Sequence, residues 1–183
     1  MAKKKFQLII NMSASPWSIG KDAQRLELMK KQAKTYNVPV VCVNQVGGND
    51  ELVFDGNSFA VDPAGHVIAQ AKPFEEDIIM IDLDYGAGDQ HGVKLSDADA
   101  TYRALVLGTR DYAHKCGFKK AVVGLSGGID SALTAVIAAE ALGPDNVMGV
   151  FMPSQFSSDA SRSDAESLAK FMIADICNQR SFR

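Results

Sequence analysis

The segment that most restricts the fold runs from Lys119 to Pro153, KKAVVGLSGGIDSALTAVIAAEALGPDNVMGVFMP. A short apolar run ends at a loop of glycine and serine and passes into an alanine-rich stretch closed by Gly143. The chain then turns at GPDN and returns as a second apolar run. A helix joining two such strands is the pattern of a parallel sheet covered by helices. The residues Gly124 to Ser131, GLSGGIDS, therefore lie where a strand stops and a helix starts.

A loop in that place aims several backbone N–H groups at one point, and the helix dipole adds partial positive charge there. Gly127 and Gly128 let an anion approach the main chain without a Cβ in the way. The hydroxyls of Ser126 and Ser131 can donate to its oxygens. Asp130 fits beside a phosphate once a hard cation such as Mg²⁺ bridges the two. No lysine follows the glycines as the Walker loop requires, and the G-x-G-x-x-G dinucleotide pattern is absent. The alternative is that Ser126 or Asp130 only caps a helix after a tight turn.

The rest of the chain alternates in the same α/β manner. FQLIIN reads as a buried strand, Asp22 to Tyr36 as a helix with Leu26, Met29, Ala33 and Tyr36 on one face, and PVVCVNQV as a strand. Residues 47–71 read as short strands and turns, and DIIMIDLD as one more strand. The glycine-rich segment YGAGDQHGVKLS marks a linker, dividing residues 1–84 from residues 97–183. A helix is expected from about Asp97 to Lys115, with Tyr102, Leu105, Val106, Thr109, Tyr112 and Cys116 inward.

Composition narrows the function classes. A net charge of −3 over 183 residues gives no general attraction to nucleic acid or to an anionic membrane. The apolar run near Met1 is too short for a signal core or a membrane span. Three cysteines at unrelated spacings make neither a disulfide framework nor a zinc site, which suits a reduced, cytoplasmic protein. Cys42 is expected in the core and Cys116 on the inner helix stripe.

GLSGGIDSALTA resembles the PP-loop of the ATP-pyrophosphatase enzymes, and its flanks, TYRALVLGTRDYAHKCGFKKAVV before and MGVFMPSQFSSDAS after, resemble glutamine-dependent NAD⁺ synthetases. The upstream segments NMSASPWSIGKDAQRLELM and VNQVGGNDELVFDGNSF are similar to the closing part of that family's nitrilase-type glutaminase domain. The resemblance implies part of a nitrilase-like α-β sandwich, then the first β-α-β unit of a Rossmann-like parallel sheet of the adenine nucleotide alpha hydrolase type. It implies an enzyme that amidates deamido-NAD⁺ to NAD⁺, releasing AMP and pyrophosphate, with ammonia drawn from glutamine.

Carried onto this chain, the resemblance implies ATP binding by Gly124, Leu125, Ser126, Gly127, Gly128, Ile129, Asp130 and Ser131, with Asp130 holding Mg²⁺. Met152 either frames the nucleotide or only ends a strand, and SQFSSDAS is either a lid or a connector. Ser15 and Lys21 match glutamine-pocket positions; the alternative is a turn before Pro16 and a solvated helix start. The family's glutaminase cysteine, glutamate and lysine are expected outside this chain, so it is read as an internal fragment, inactive alone, with sheet faces left uncovered. The intact enzyme is expected to be a homo-oligomer acting on small molecules, without nucleic acid or membrane. Two alternatives stay open: another glutamine-fed PP-loop ligase, and a truncated nucleotide-binding module without catalysis.

Overall fold

The computed structural model describes residues 6–151, 163–165, 167 and 175–178. The chain divides into two compact units, Met1–Ala104 and Leu105–Arg183.

The first unit is built on a four-stranded sheet of order β1-β2-β5-β6, from β1 (Ile9–Ser13), β2 (Val40–Asn44), β5 (Phe59–Val61) and β6 (Val67–Gln70). β1 and β2 run parallel, and their register sets Ser13 beside Asn44; the other pairs are antiparallel. Helix α1 (Lys21–Tyr36) joins β1 to β2 and ends at Asn37, which adopts the left-handed conformation that asparagine tolerates. Met29 and Ala33 of α1 pack on Val40, Cys42, Phe59 and Val61. Arg25 lies on the same buried stripe, one turn before Met29, whereas Tyr36, expected inward, is exposed. Between β2 and β5, β3 (Val46–Asn49) and β4 (Leu52–Asp55) form a hairpin.

On the opposite sheet face Ala60, Ile68 and Ala69 pack with Val41, Ile79 and Ile81. The strand expected over residues 77–84 shrinks to β7 (Ile81–Asp82), paired with β8 (Ala87–Gly88). Carboxylates take the amides that a longer ladder would use. Asp77 accepts from the N–H groups of Lys72 and Ile78, and Asp89 accepts from Met80. The glycine-rich segment after Tyr85 is tied to the sheet, for the N–H groups of His91 and Gly92 both donate to the Gln70 carbonyl. The first strand differs from expectation as well. Ile9 reaches the core, while Ile10 and Met12 face outward, Met12 being 82% exposed.

Helix α2 (Asp97–Lys115) starts at a reciprocal cap. Ser96 Oγ donates to Asp99 Oδ2 at 2.6 Å and accepts from the Asp99 N–H. Those bonds, led by the Ser96 hydroxyl, hold the Asp99 carboxyl below its ordinary range. The buried positions of α2 are Ala104, Leu107 and Ala113, not the stripe expected from its larger residues. Leu105, Thr109, Tyr112 and Cys116 are exposed, so Cys116 is not an inner residue.

The second unit holds a parallel sheet of order β11-β10-β9, from β9 (Ala121–Leu125), β10 (Val147–Phe151) and β11 (Asp175–Asn178). Helix α3 (Ile129–Leu142) packs on one face through Ala135, Ala138 and Ala139, against Val123, Leu125, Val147 and Phe151. Small side chains let this helix lie close to the strands, which draws its first turn to the end of β9. On the other face Val122 and Met148 are register partners and both are exposed, Val122 at 69%.

Candidate functional site

The N-cap of α3 is Gly128, in an extended conformation and without a side-chain cap. Neither Ser126 nor Asp130 caps the helix. Gly127 before it has a φ of 79°, in the left-handed region open to glycine. A glycine N-cap has no oxygen to offer the first turn, so the N–H groups there stay open unless something else takes them.

Two of the loop amides are taken. The Ser126 N–H donates to Ser131 Oγ at 3.2 Å, and the Gly128 N–H donates to Ser126 Oγ at 3.2 Å. The hydroxyls also lie 3.0 Å apart, and Ser131 Oγ is 2.9 Å from the Gly128 carbonyl it can donate to. The two serines therefore brace the loop. Among the described residues the N–H groups of Gly127, Ile129, Asp130 and Ser131 have no protein acceptor. The first helical bond runs from Ala132 N–H to the Gly128 carbonyl.

These residues border a cavity of about 320 Å³, lined by Leu125, Gly127, Gly128, Ile129, Ser131, Ala132, Asp164 and Ala165. That size is within the range of small-molecule sites. Asp130, between the lining residues Ile129 and Ser131, has an exposed side chain with no ion pair among the described residues. Asp164 was not singled out from sequence; nothing in its local pattern separates it from a solvated helical acid. Met152 and residues 153–162, including the SQFSSDAS segment, lie outside the described residues.

The first unit carries a second polar constellation. Arg25 Nη1 and Nη2 donate to the two Asp55 carboxylate oxygens at 3.1 and 2.7 Å, with side chains 6% and 3% exposed. Asn44 Nδ2 donates to Asp55 Oδ1 at 3.0 Å, and Asn44 Oδ1 accepts from the Ser15 N–H at 2.8 Å. Ser15 thus stands beside a buried network, while Lys21 is exposed at the first residue of α1. Neither lines a cavity of about 480 Å³ in this unit, which Trp17, Asp55, Phe74 and Lys94 border. Sequence reading passed over Arg25, Asp55 and Asn44. The available signal was Arg25 in helical phase with Met29 and Ala33, since a charge on an apolar stripe requires a buried partner.

The fold and the loop define an α/β protein that presents open backbone amides where a strand of a parallel sheet meets a helix. Family models match both parts of the chain: residues 1–90 match carbon-nitrogen hydrolase and residues 101–178 match NAD synthase. The chain is similar to the glutamine-dependent NAD(+) synthetase of Synechocystis sp., 52% identical over 168 residues, covering 89% of this chain and 30% of the relative. Its similarity to the Thermotoga maritima enzyme of the same name is 43% over 199 residues, covering 89% of this chain and 34% of the relative. A solved glutamine-dependent NAD+ synthetase from Acinetobacter baumannii, in complex with ADP, superposes with a TM-score of 0.86 at 37% identity. That match covers 96% of this chain and 34% of the solved one. The chain belongs to the glutamine-dependent NAD⁺ synthetase family and spans about a third of the length of these relatives.

Proposed function

We propose that this chain is the part of a glutamine-dependent NAD⁺ synthetase that joins its glutaminase to its ATP site. The complete reaction amidates deamido-NAD⁺ at the expense of ATP, releasing AMP and pyrophosphate, with ammonia supplied from glutamine. The observation that carries the reading is the set of N–H groups at Gly127, Ile129, Asp130 and Ser131 without an acceptor among the described residues, on a loop that borders a cavity, in a member of this family.

The chemistry follows from that set. Departure of pyrophosphate concentrates negative charge on its oxygens, and preorganised donors at that place stabilise the charge as it forms. The four amides bind and orient; the Ser126 and Ser131 hydroxyls hold the loop so that the amides need not reorganise. No group of the loop has to act as a nucleophile. Asp130 suits Mg²⁺, because its carboxylate is exposed and has no ion pair among the described residues, and Mg²⁺ takes one or two carboxylates together with substrate phosphates. When bound, the ion supplies positive charge to the phosphate oxygens.

In the first unit we assign Ser15 and Lys21 to the glutamine side, supported by the carbon-nitrogen hydrolase match over residues 1–90. The same match favours this reading over other glutamine-fed PP-loop ligases, whose amidotransferase parts are of different types. A homo-oligomeric, cytoplasmic enzyme completes the reading. Among the described residues no helix is long and apolar enough to cross a membrane. The test is ATP-dependent NAD⁺ formation from deamido-NAD⁺ by the complete polypeptide. Glutamine and ammonia are both expected to serve as nitrogen source; no product with either overturns the reading.

A further inference from the structure

Asn44 grips both main-chain groups of one residue. Its Oδ1 accepts from the Ser15 N–H at 2.8 Å and from the Ser13 hydroxyl at 3.3 Å, while its Nδ2 faces the Ser15 carbonyl at 3.4 Å. A side-chain amide can turn either end toward such a backbone, and only one orientation fits both groups of Ser15. Asp55 decides between them. Its Oδ1 accepts from Asn44 Nδ2 at 3.0 Å, which leaves the amide oxygen for the Ser15 N–H. Asp55 is fixed in turn by the fork of Arg25, which bonds both of its oxygens. All three residues are buried, which strengthens these bonds.

The Ser15 hydroxyl makes no hydrogen bond among the described residues, although its backbone is held on both sides. A clamped main chain that presents an unengaged hydroxyl is what substrate orientation requires. We propose that Asn44, oriented by the Arg25–Asp55 pair, is a positioning residue that fixes Ser15 for the amino-acid substrate of this unit. The proposal rests on the reading of Ser15 as a glutamine-pocket residue. It adds residues that touch no substrate themselves and act through the loop.

Asn44→Leu in the complete polypeptide tests it, because leucine matches the volume and makes neither bond. Amide hydrogen exchange over residues 13–17 is expected to quicken while residues 40–42 of β2 keep their protection. The glutamine KM is expected to rise by about tenfold or more, with kcat little changed. Ammonia-driven synthesis is expected to stay at the unsubstituted level. Asn44→Thr, which leaves the Arg25–Asp55 pair intact and keeps one acceptor oxygen but no amide donor, is expected to raise the same KM by a smaller factor, and it serves if the leucine variant does not fold. An unchanged glutamine KM in a variant whose 13–17 amides exchange faster overturns the proposal. So does an equal loss of glutamine-driven and ammonia-driven synthesis, which marks the cluster as structural only. If the unsubstituted polypeptide uses ammonia but hydrolyses no glutamine, the glutaminase reading itself fails, and the substrate role of Asn44 falls with it.

Discussion

The buried cluster around Asn44 and the mouth of α3 are built from similar groups and end in opposite states. Around Asn44, long side chains reach the loop amide of Ser15 and one another. Arg25 Nε is the single buried side-chain polar atom without a partner among the described residues. At α3, among the described residues, only the two serine side chains reach the loop amides. Gly127 and Gly128 bring no side chain, and of the N–H groups there the hydroxyls accept from those of Ser126 and Gly128. The difference teaches where each region draws its stability. Buried donors must be satisfied from within the protein, because an unmade bond there is expensive. Donors at an exposed helix mouth are satisfied by water, so they can be left for a ligand at little cost.

The sharpest way to break this contrast is Arg25→Met. Removing one partner of the buried pair leaves the Asp55 charge uncompensated, for which about 3–5 kcal/mol of lost stability is expected. Urea unfolding of the complete polypeptide measures it. A change under about 1 kcal/mol would mean that the pair is dispensable for the first unit.

Gly127→Val should act in the opposite way, on binding more than on folding. A β-branched residue at a φ of 79° is strained, and its side chain blocks approach to the amides. ATP affinity is expected to fall by roughly a hundredfold or more, about 2.7 kcal/mol, in a calorimetric titration. Near-normal binding would place the phosphates elsewhere.

Asp130→Asn is expected to have the next largest effect, lowering ATP-dependent synthesis by about tenfold while glutamine hydrolysis changes little. Equal loss of both activities would show that Asp130 supports structure rather than a cation.

The smallest expected effect is a pH dependence at Asp77. The Lys72 N–H, then the His91 ring at 2.9 Å and the Ile78 N–H, hold this carboxyl below its ordinary range. A carboxylate favoured in the folded state contributes stability that is fully present above the ordinary carboxylate range. That contribution is lost as pH falls through the lower folded value. The amides of Lys72 and Ile78 should therefore lose protection in acid, measured against the intrinsic exchange rate at each pH, and Asp77→Asn should remove the acid-dependent part. A flat profile in the unsubstituted protein would show that the latch carries no stability.

Much of the second unit was legible because its signals are local. A strand, two glycines and an alanine helix follow one another within a few residues, and the parallel pairing of β9 with β10 is the simplest way to bury them. The first unit was legible as short strands but not as a network. Arg25 and Asp55 are thirty positions apart, and Asn44 is eleven from Asp55, so no window of sequence shows them meeting. Residues 77–84 misled for another reason. Their apolar pattern is that of a strand, but Asp77 and Asp89 draw off the amides a ladder needs. On α2 the expected stripe is half-buried at Tyr102 and Val106 and exposed at Leu105, Thr109, Tyr112 and Cys116, while Ala104, Leu107 and Ala113 lie inside. Size alone does not select the buried face.

The central claim is that the unbonded amides at the mouth of α3 are the phosphate site. The most direct measurement is a crystal structure of the complete polypeptide with Mg²⁺ and a non-hydrolysable ATP analogue. Phosphate oxygens are expected within hydrogen-bond distance of the N–H groups of Gly127, Ile129, Asp130 and Ser131, with the two serine bonds to the loop kept. Phosphates bound elsewhere, with those four amides facing only water, would contradict the account.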